Sequence, residues 1–135
     1  MDDTILVGLA FEAREMAYAP YSNFQVGAAL LAKNGTVYKG CNIESASHTP
    51  TNCAERTSFF KAVSEGVTEF EAIAVVGGPQ GSETALCSPC GVCRQVMAEF
   101  CSSDFRIIMA DSDYNLEVMT LEEILPMRFT PDNLR

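Results

Sequence analysis

Two cysteine motifs constrain this 135-residue chain more than any other feature: Cys53-Ala54-Glu55-Arg56, and later Cys87-Ser88-Pro89-Cys90-Gly91-Val92-Cys93. Each opens a stretch of helical character, so a fold that uses both must aim two helix N-termini at one point. Cys90 and Cys93, three apart on a helix, share a face and can grip a single ion. The positive end of a helix dipole favours thiolate over thiol, and Cys53 gains the same help at the start of its own helix. Three thiolates with a free fourth position are the donor set of a catalytic zinc ion. Cys87 keeps a second possibility open, a closed four-thiolate site of purely structural use.

Two neighbours of Cys53 fit the catalytic option. Glu55 stays in the same first turn without sharing the cysteine's direction, where a carboxylate can serve as general acid and base. The competing reading is a capping box between Asn52 and Glu55. Zinc with three thiolates carries a net charge of about −1, which weakens its hold on water's proton. A guanidinium from Arg56 on a ligand sulfur would withdraw charge and restore that power. The plainer alternative for Arg56 is a solvated helix residue.

Patterning around the motifs predicts the order α-β-β-α-β-α-β-β-α. Residues 2 to about 17 place Ile5, Leu6, Leu9, Ala10, Ala13, Met16 and Ala17 on one helical face, with Asp2 or Asp3 as cap and Pro20 as stop. Strands over 24–32 and 36–43 flank Asn34-Gly35, a two-residue hairpin signal. A helix from Cys53 to Glu65 ends at Gly66, suited to a left-handed cap. The apolar run 70–76 predicts a strand covered on both faces. The next helix takes Ser88 as cap and Pro89 in its first turn, and runs to about Cys101. Strands over 106–110 and 116–119 follow, joined by a short turn. Thr120 and Glu123 form a capping box for a last helix that stops at Pro126. Two β-helix-β crossovers require parallel strands, and the short turn makes the fifth strand antiparallel to the fourth. The expectation is an α/β fold, one domain over 1–135, with helices on both faces of a five-stranded mixed sheet.

Charge narrows the partners. Eighteen acidic residues against nine Lys and Arg leave a net charge of −9. Nucleic-acid binders need clustered Lys and Arg, and none occurs here, so nucleic acid is excluded and a small, weakly charged substrate expected. No run is apolar enough for a membrane span, and the start Met1-Asp2-Asp3 has the wrong sign for a secretory leader. A cytoplasmic location follows, where six cysteines mean metal ligands or buried thiols. Cys41 and Cys101 read as small buried residues.

The cysteine form of the C-A-E-R motif followed by P-C-x-x-C resembles the zinc deaminase signature, which is commonly written with histidine as first ligand. Ala19-Pro20-Tyr21-Ser22-Asn23-Phe24-Gln25-Val26-Gly27-Ala28-Ala29, Gly40-Cys41-Asn42-Ile43-Glu44, Leu125-Pro126, Phe129 and Pro131-Asp132-Asn133-Leu134 are similar to the small homotetrameric cytidine deaminases. The resemblance runs from about residue 5 to the C-terminus. It implies a three-layer α/β/α sandwich and a homotetramer with shared active sites. It implies one zinc ion per subunit on Cys53, Cys90 and Cys93, with Glu55 as proton shuttle. Phe24 is then the aromatic that packs on the pyrimidine, Asn42 and Glu44 the pair that holds the ribose hydroxyls, and Ala54 a further substrate contact. Phe129 is the residue that closes a neighbouring chain's pocket. The implied reaction is hydrolytic deamination of cytidine, and of deoxycytidine, within pyrimidine salvage. Deamination of a modified nucleoside such as blasticidin S is the alternative within enzymes. A structural zinc module is the alternative outside them. One departure is His48, where the family usually has tyrosine, with Pro50 close behind.

Overall fold

Why each segment takes its form is mostly local. The computed structural model describes residues 1–135. Helix α1 (Asp3–Arg14) is capped by Asp2, whose carboxylate accepts from the Thr4 amide. Strands β1 (Phe24–Ala32) and β2 (Val37–Cys41) follow, then α2 (Ala54–Ser64) and β3 (Phe70–Pro79). Helix α3 (Gly91–Phe100), β4 (Arg106–Ala110), β5 (Leu116–Thr120), α4 (Leu121–Ile124) and a 3-10 turn (Pro131–Leu134) complete the chain. Gly66 takes φ +88° after α2, a conformation open to glycine at little cost. The Thr120–Glu123 capping box forms in both directions.

The strands make one mixed sheet in the order β2-β1-β3-β4-β5. β1 is antiparallel to both neighbours, β3 and β4 are parallel, and β5 returns antiparallel to β4. Two crossovers, through α2 and α3, therefore join parallel strands, as the pattern required. Alternation along the strands splits the core in two. Ala28, Leu30, Ile73, Val75, Ile107 and Met109 pack with Phe59, Met97 and Leu121 from the helices of one face. Ala29, Leu31, Ala72, Ala74, Val76 and Ile108 meet Leu6, Val7 and Ala10 of α1 on the other. The three layers are those expected.

Local departures have physical reasons. Helix α1 ends at Arg14, and Ile5 and Met16 are exposed rather than on the buried face. The buried stripe is Leu6, Val7, Ala10, Ala13 and Arg14, rotated from the expected one. Arg14 turns it: its guanidinium donates to the carbonyls of Gln25 (3.0 Å), Gly78 (3.1 Å) and Pro79 (2.9 Å), a satisfied cation beneath the sheet. The hairpin loop is longer than two residues, since the last cross-strand bond runs from the Ala32 amide to the Thr36 carbonyl (2.9 Å) and only Gly35 between them takes positive φ. Helix α3 starts at Gly91 with Cys90 as its N-cap, so Ser88 and Pro89 lie in the loop before it.

Glycines set how closely helices approach the sheet. A Cβ on Gly40 would meet the Ala54 carbonyl at 2.5 Å and the Ser58 amide at 2.6 Å, both backbone atoms of α2. Gly40→Ala is therefore expected to lower the thermal midpoint by roughly 4–12 °C, from overpacking of about 1–3 kcal/mol. Gly8→Ala in α1 meets only the Tyr114 hydroxyl at 3.7 Å. It should leave the midpoint unchanged or raised, and paired calorimetric scans compare the two.

Candidate metal centre and active site

The N-termini of α2 and α3 converge at one place. Cys53 and Cys90 are the two N-cap residues, each in extended backbone (ψ 156° and 167°), and neither side chain caps its helix. Cys93 sits in the first turn of α3 and is buried. The Cys53 and Cys90 sulfurs are 3.7 Å apart and those of Cys90 and Cys93 3.4 Å, all three lying within 4.8 Å of one another. A tetrahedral zinc ion with Zn–S bonds near 2.3 Å requires sulfurs about 3.8 Å apart, so the set fits. Cys90 reaches the cluster from an N-cap, not from a shared helix face as the spacing suggested. Cys87 is not part of the cluster. Its sulfur lies 2.9 Å from where a Cβ on Gly77 would stand, and burial pushes its thiol up to about 11.

Cys53 is firmly seated. Asn52 and Ile43 exchange two backbone hydrogen bonds of 2.9 Å, and the Thr57 hydroxyl donates to the Cys41 carbonyl at 3.0 Å, tying α2 to the end of β2. The Arg56 Nη2 donates to the Cys53 sulfur at 3.2 Å, the contact its chemistry called for. Cys53 is pushed down from 9.0 to about 5, first by hydrogen bonding from Cys93 and then by Arg56, against the pull of burial. Cys93 moves upward, first because its thiol hydrogen-bonds to Cys53 and then because it is buried.

Glu55 is 4% exposed and does not cap its helix. The capping reading fails because Cys53, not Asn52, occupies the cap, and Asn52 Nδ2 donates to Thr57 Oγ1 instead. Burial pushes the Glu55 carboxyl up from 4.5 to about 7, and the negative charge of Cys53 adds to the effect.

Cys53, Glu55 and Cys90 line a cleft of about 300 Å³ whose wall also includes Phe24, Asn42, Glu44, Ala54 and Cys87. Asn42 accepts from the Val26 amide (2.9 Å) and donates to the Phe24 carbonyl (2.8 Å). One amide N–H and one oxygen lone pair of Asn42 are left over. Glu44 accepts from the amides of Tyr21 (3.0 Å) and Ser22 (3.1 Å) and from the Ser22 hydroxyl. The Ser22 hydroxyl, above all, holds the Glu44 carboxyl below its usual range. Sequence reasoning missed Ser22, Thr51, Asn52 and Ser88 as cleft residues. The one sequence signal at Ser22 was its place in the 19–29 stretch that carries the family resemblance, and in the structure it lies in a turn where Asn23 takes φ +57°. His48 lines an adjoining cavity of about 230 Å³ that shares Ser22, Glu44 and Thr51 with the cleft. Phe129 is outside the cleft of its own chain and 57% exposed.

If the three clustered sulfurs hold the ion, alanine at Cys53, Cys90 or Cys93 abolishes stoichiometric zinc in the purified protein. Cys87→Ala leaves it intact. Atomic absorption on the four variants makes the comparison, and loss of zinc from Cys87→Ala would restore the closed four-thiolate site.

Residues 1–109 match the family described as the cytidine and deoxycytidylate deaminase zinc-binding region. A cytidine deaminase of Sporosarcina psychrophila is 49% identical over 134 residues, 99% of this chain and 96% of the relative. A blasticidin-S deaminase of Bacillus cereus is 31% identical, covering 95% and 92%. The crystal structure of cytidine deaminase from Burkholderia pseudomallei superposes with a TM-score of 0.87 at 44% identity, covering 96% of this chain and all of that one. On that family match and that identity over nearly the whole chain, the chain belongs to the cytidine and deoxycytidylate deaminase family.

Proposed function

We propose that this enzyme hydrolyses cytidine, and deoxycytidine, to the corresponding uridine and ammonia. One observation carries the reading: two sulfurs of the cluster, Cys53 and Cys90, and the buried Glu55 carboxyl meet in a single cleft that Phe24, Asn42 and Glu44 also line. When bound by Cys53, Cys90 and Cys93, zinc supplies a Lewis acid that lowers the pKa of water. Glu55 takes a proton from the attacking water and passes it to ring nitrogen N3 while the hydroxide adds to C4. The same carboxyl then carries the remaining hydroxyl proton to the exocyclic nitrogen. That nitrogen leaves as ammonia, and the C4 carbonyl forms. Arg56 draws charge from the Cys53 sulfur and so offsets the electron richness of three thiolates.

The other groups orient the substrate. Phe24, 40% exposed at the cleft rather than packed in the core, offers a face for the pyrimidine. The spare N–H and lone pair of Asn42, beside the Glu44 carboxylate, suit a sugar diol that must both donate and accept. Ala54 lines the wall next to them. Residues 1–135 act as one catalytic domain. Phe129, exposed and away from its own cleft, fits a homotetramer in which it closes a neighbour's pocket. No helix is long and apolar enough to cross a membrane. With no basic cluster in a chain of net charge −9, a cytoplasmic enzyme of pyrimidine salvage that handles free nucleosides rather than nucleic acid is the matching setting.

The decisive assay follows cytidine absorbance and ammonia release, with blasticidin S run in parallel. Glu55→Gln should keep its zinc and lose roughly 10²–10⁴ in kcat. Turnover close to the parent's removes the proton-shuttle role. Phe129→Ala should raise KM while leaving zinc content unchanged, and sedimentation should give a species four times the 14.7 kDa chain.

A further inference from the structure

The two cysteines at the N-caps are supported very differently. Cys53 follows a backbone bridge between Asn52 and Ile43 and is anchored again through Thr57. The loop that ends at Cys90 is last bridged to the sheet at Ala85, opposite Gly77, and the five residues after that have no partner strand. From Leu86 to Cys90, the only carbonyls that accept a hydrogen bond are those of Pro89 and Cys90, and Arg94 donates to both. Its amide reaches the Cys90 carbonyl at 3.0 Å as the first turn of α3 closes. Its side-chain Nε reaches the Pro89 carbonyl at 2.8 Å, and Nη1 of the same guanidinium donates to the Ile124 carbonyl of α4 at 2.9 Å.

We infer that Arg94 is a positioning residue for the metal centre, clamping the loop that delivers the Cys90 sulfur against the end of α4. A guanidinium is a planar fork whose donors diverge at fixed angles, so one residue spans two carbonyls that do not otherwise meet. Without it the Pro89–Cys90 peptide is free to turn, and the Cys90 sulfur leaves the position 3.7 Å from Cys53 and 3.4 Å from Cys93. Groups that orient ligands without touching the metal typically hold 10–100-fold of its affinity. Lysine keeps the charge but has no fork, and can satisfy one carbonyl at most in this geometry. The side chain lies on neither the cleft nor the sulfur cluster, so it acts through Cys90 and not on substrate.

The inference rests on Cys90 being a zinc ligand, and its test does not depend on deamination. Zinc release from the holoenzyme to a chromophoric chelator is timed for the parent, Arg94→Lys and Arg94→Gln. Far-ultraviolet circular dichroism of each confirms the fold. Arg94→Gln is expected to release zinc roughly 10–100-fold faster, with Arg94→Lys in between. Release at the parental rate from a folded Arg94→Gln overturns the inference. If Arg94→Gln does not fold, Arg94→Lys decides alone, and parental release from it overturns the inference equally. A protein that loses zinc faster on these changes yet deaminates no nucleoside keeps the role of Arg94 and refutes the proposed reaction.

Discussion

Two helices pointing their positive ends at one spot is an unfavourable arrangement unless something negative lies between them. Each N-terminus carries roughly half a positive charge and several amides without intrahelical partners. Ordinary helices meet that need with Ser, Thr, Asp or Asn at the cap, worth about 1 kcal/mol each. Here Cys53 and Cys90 occupy the caps and neither makes a capping hydrogen bond. The helices forgo that stabilisation, and what they gain is a place where thiolate is favoured. The fold around them follows from this requirement. Two parallel crossovers bring the starts of α2 and α3 to the same end of the sheet, and Gly40 lets α2 press against β2 closely enough for the sulfurs to meet.

The cleft is built from side chains whose hydrogen bonds structure the backbone around it. Arg14 clamps Gln25, Gly78 and Pro79, fixing the start of β1 against the end of β3, where Phe24 pairs with Pro79. Asn42 continues the ladder beyond β2 by bonding both sides of Gln25, and Glu44 gathers the turn at Tyr21 and Ser22. Polar groups held this way have little freedom left to lose when a ligand arrives, which is how a small site achieves orientation at modest entropic cost.

That double duty also explains what could be read from the sequence. The Asn34-Gly35 hairpin signal placed β1 at Phe24–Ala32, and the rules for left-handed caps and capping boxes placed Gly66 and the Thr120–Glu123 pair, because each depends on neighbours a few residues away. The cysteine motifs were legible because metal chemistry demands those residue types at those spacings. The buried stripe of α1 was misplaced because Arg14 is charged, and its three carbonyl partners lie 11 to 65 positions away. The start of α3 was misjudged because Pro89 suits a first helical turn, whereas the loop must stay extended to deliver Cys90. Ser22 went unnoticed because its role depends on Glu44, 22 residues later.

Glu55 shows why burial is useful here and not merely tolerated. A shuttle works only if its protonated and ionised forms lie close in energy, and an exposed glutamate at neutral pH is almost wholly ionised. Removing the carboxyl from water penalises the charged form, and the neighbouring Cys53 thiolate penalises it further. A divalent cation on the sulfurs would act in the opposite sense, favouring the carboxylate that the proposed first proton transfer needs. Glu55 lies in the first turn of α2, buried, where desolvation and Cys53 together bring its carboxyl up to about 7. The same carboxylate on the rim of the cleft would feel neither strongly, and could accept a proton from water but not hold it long enough to give it away.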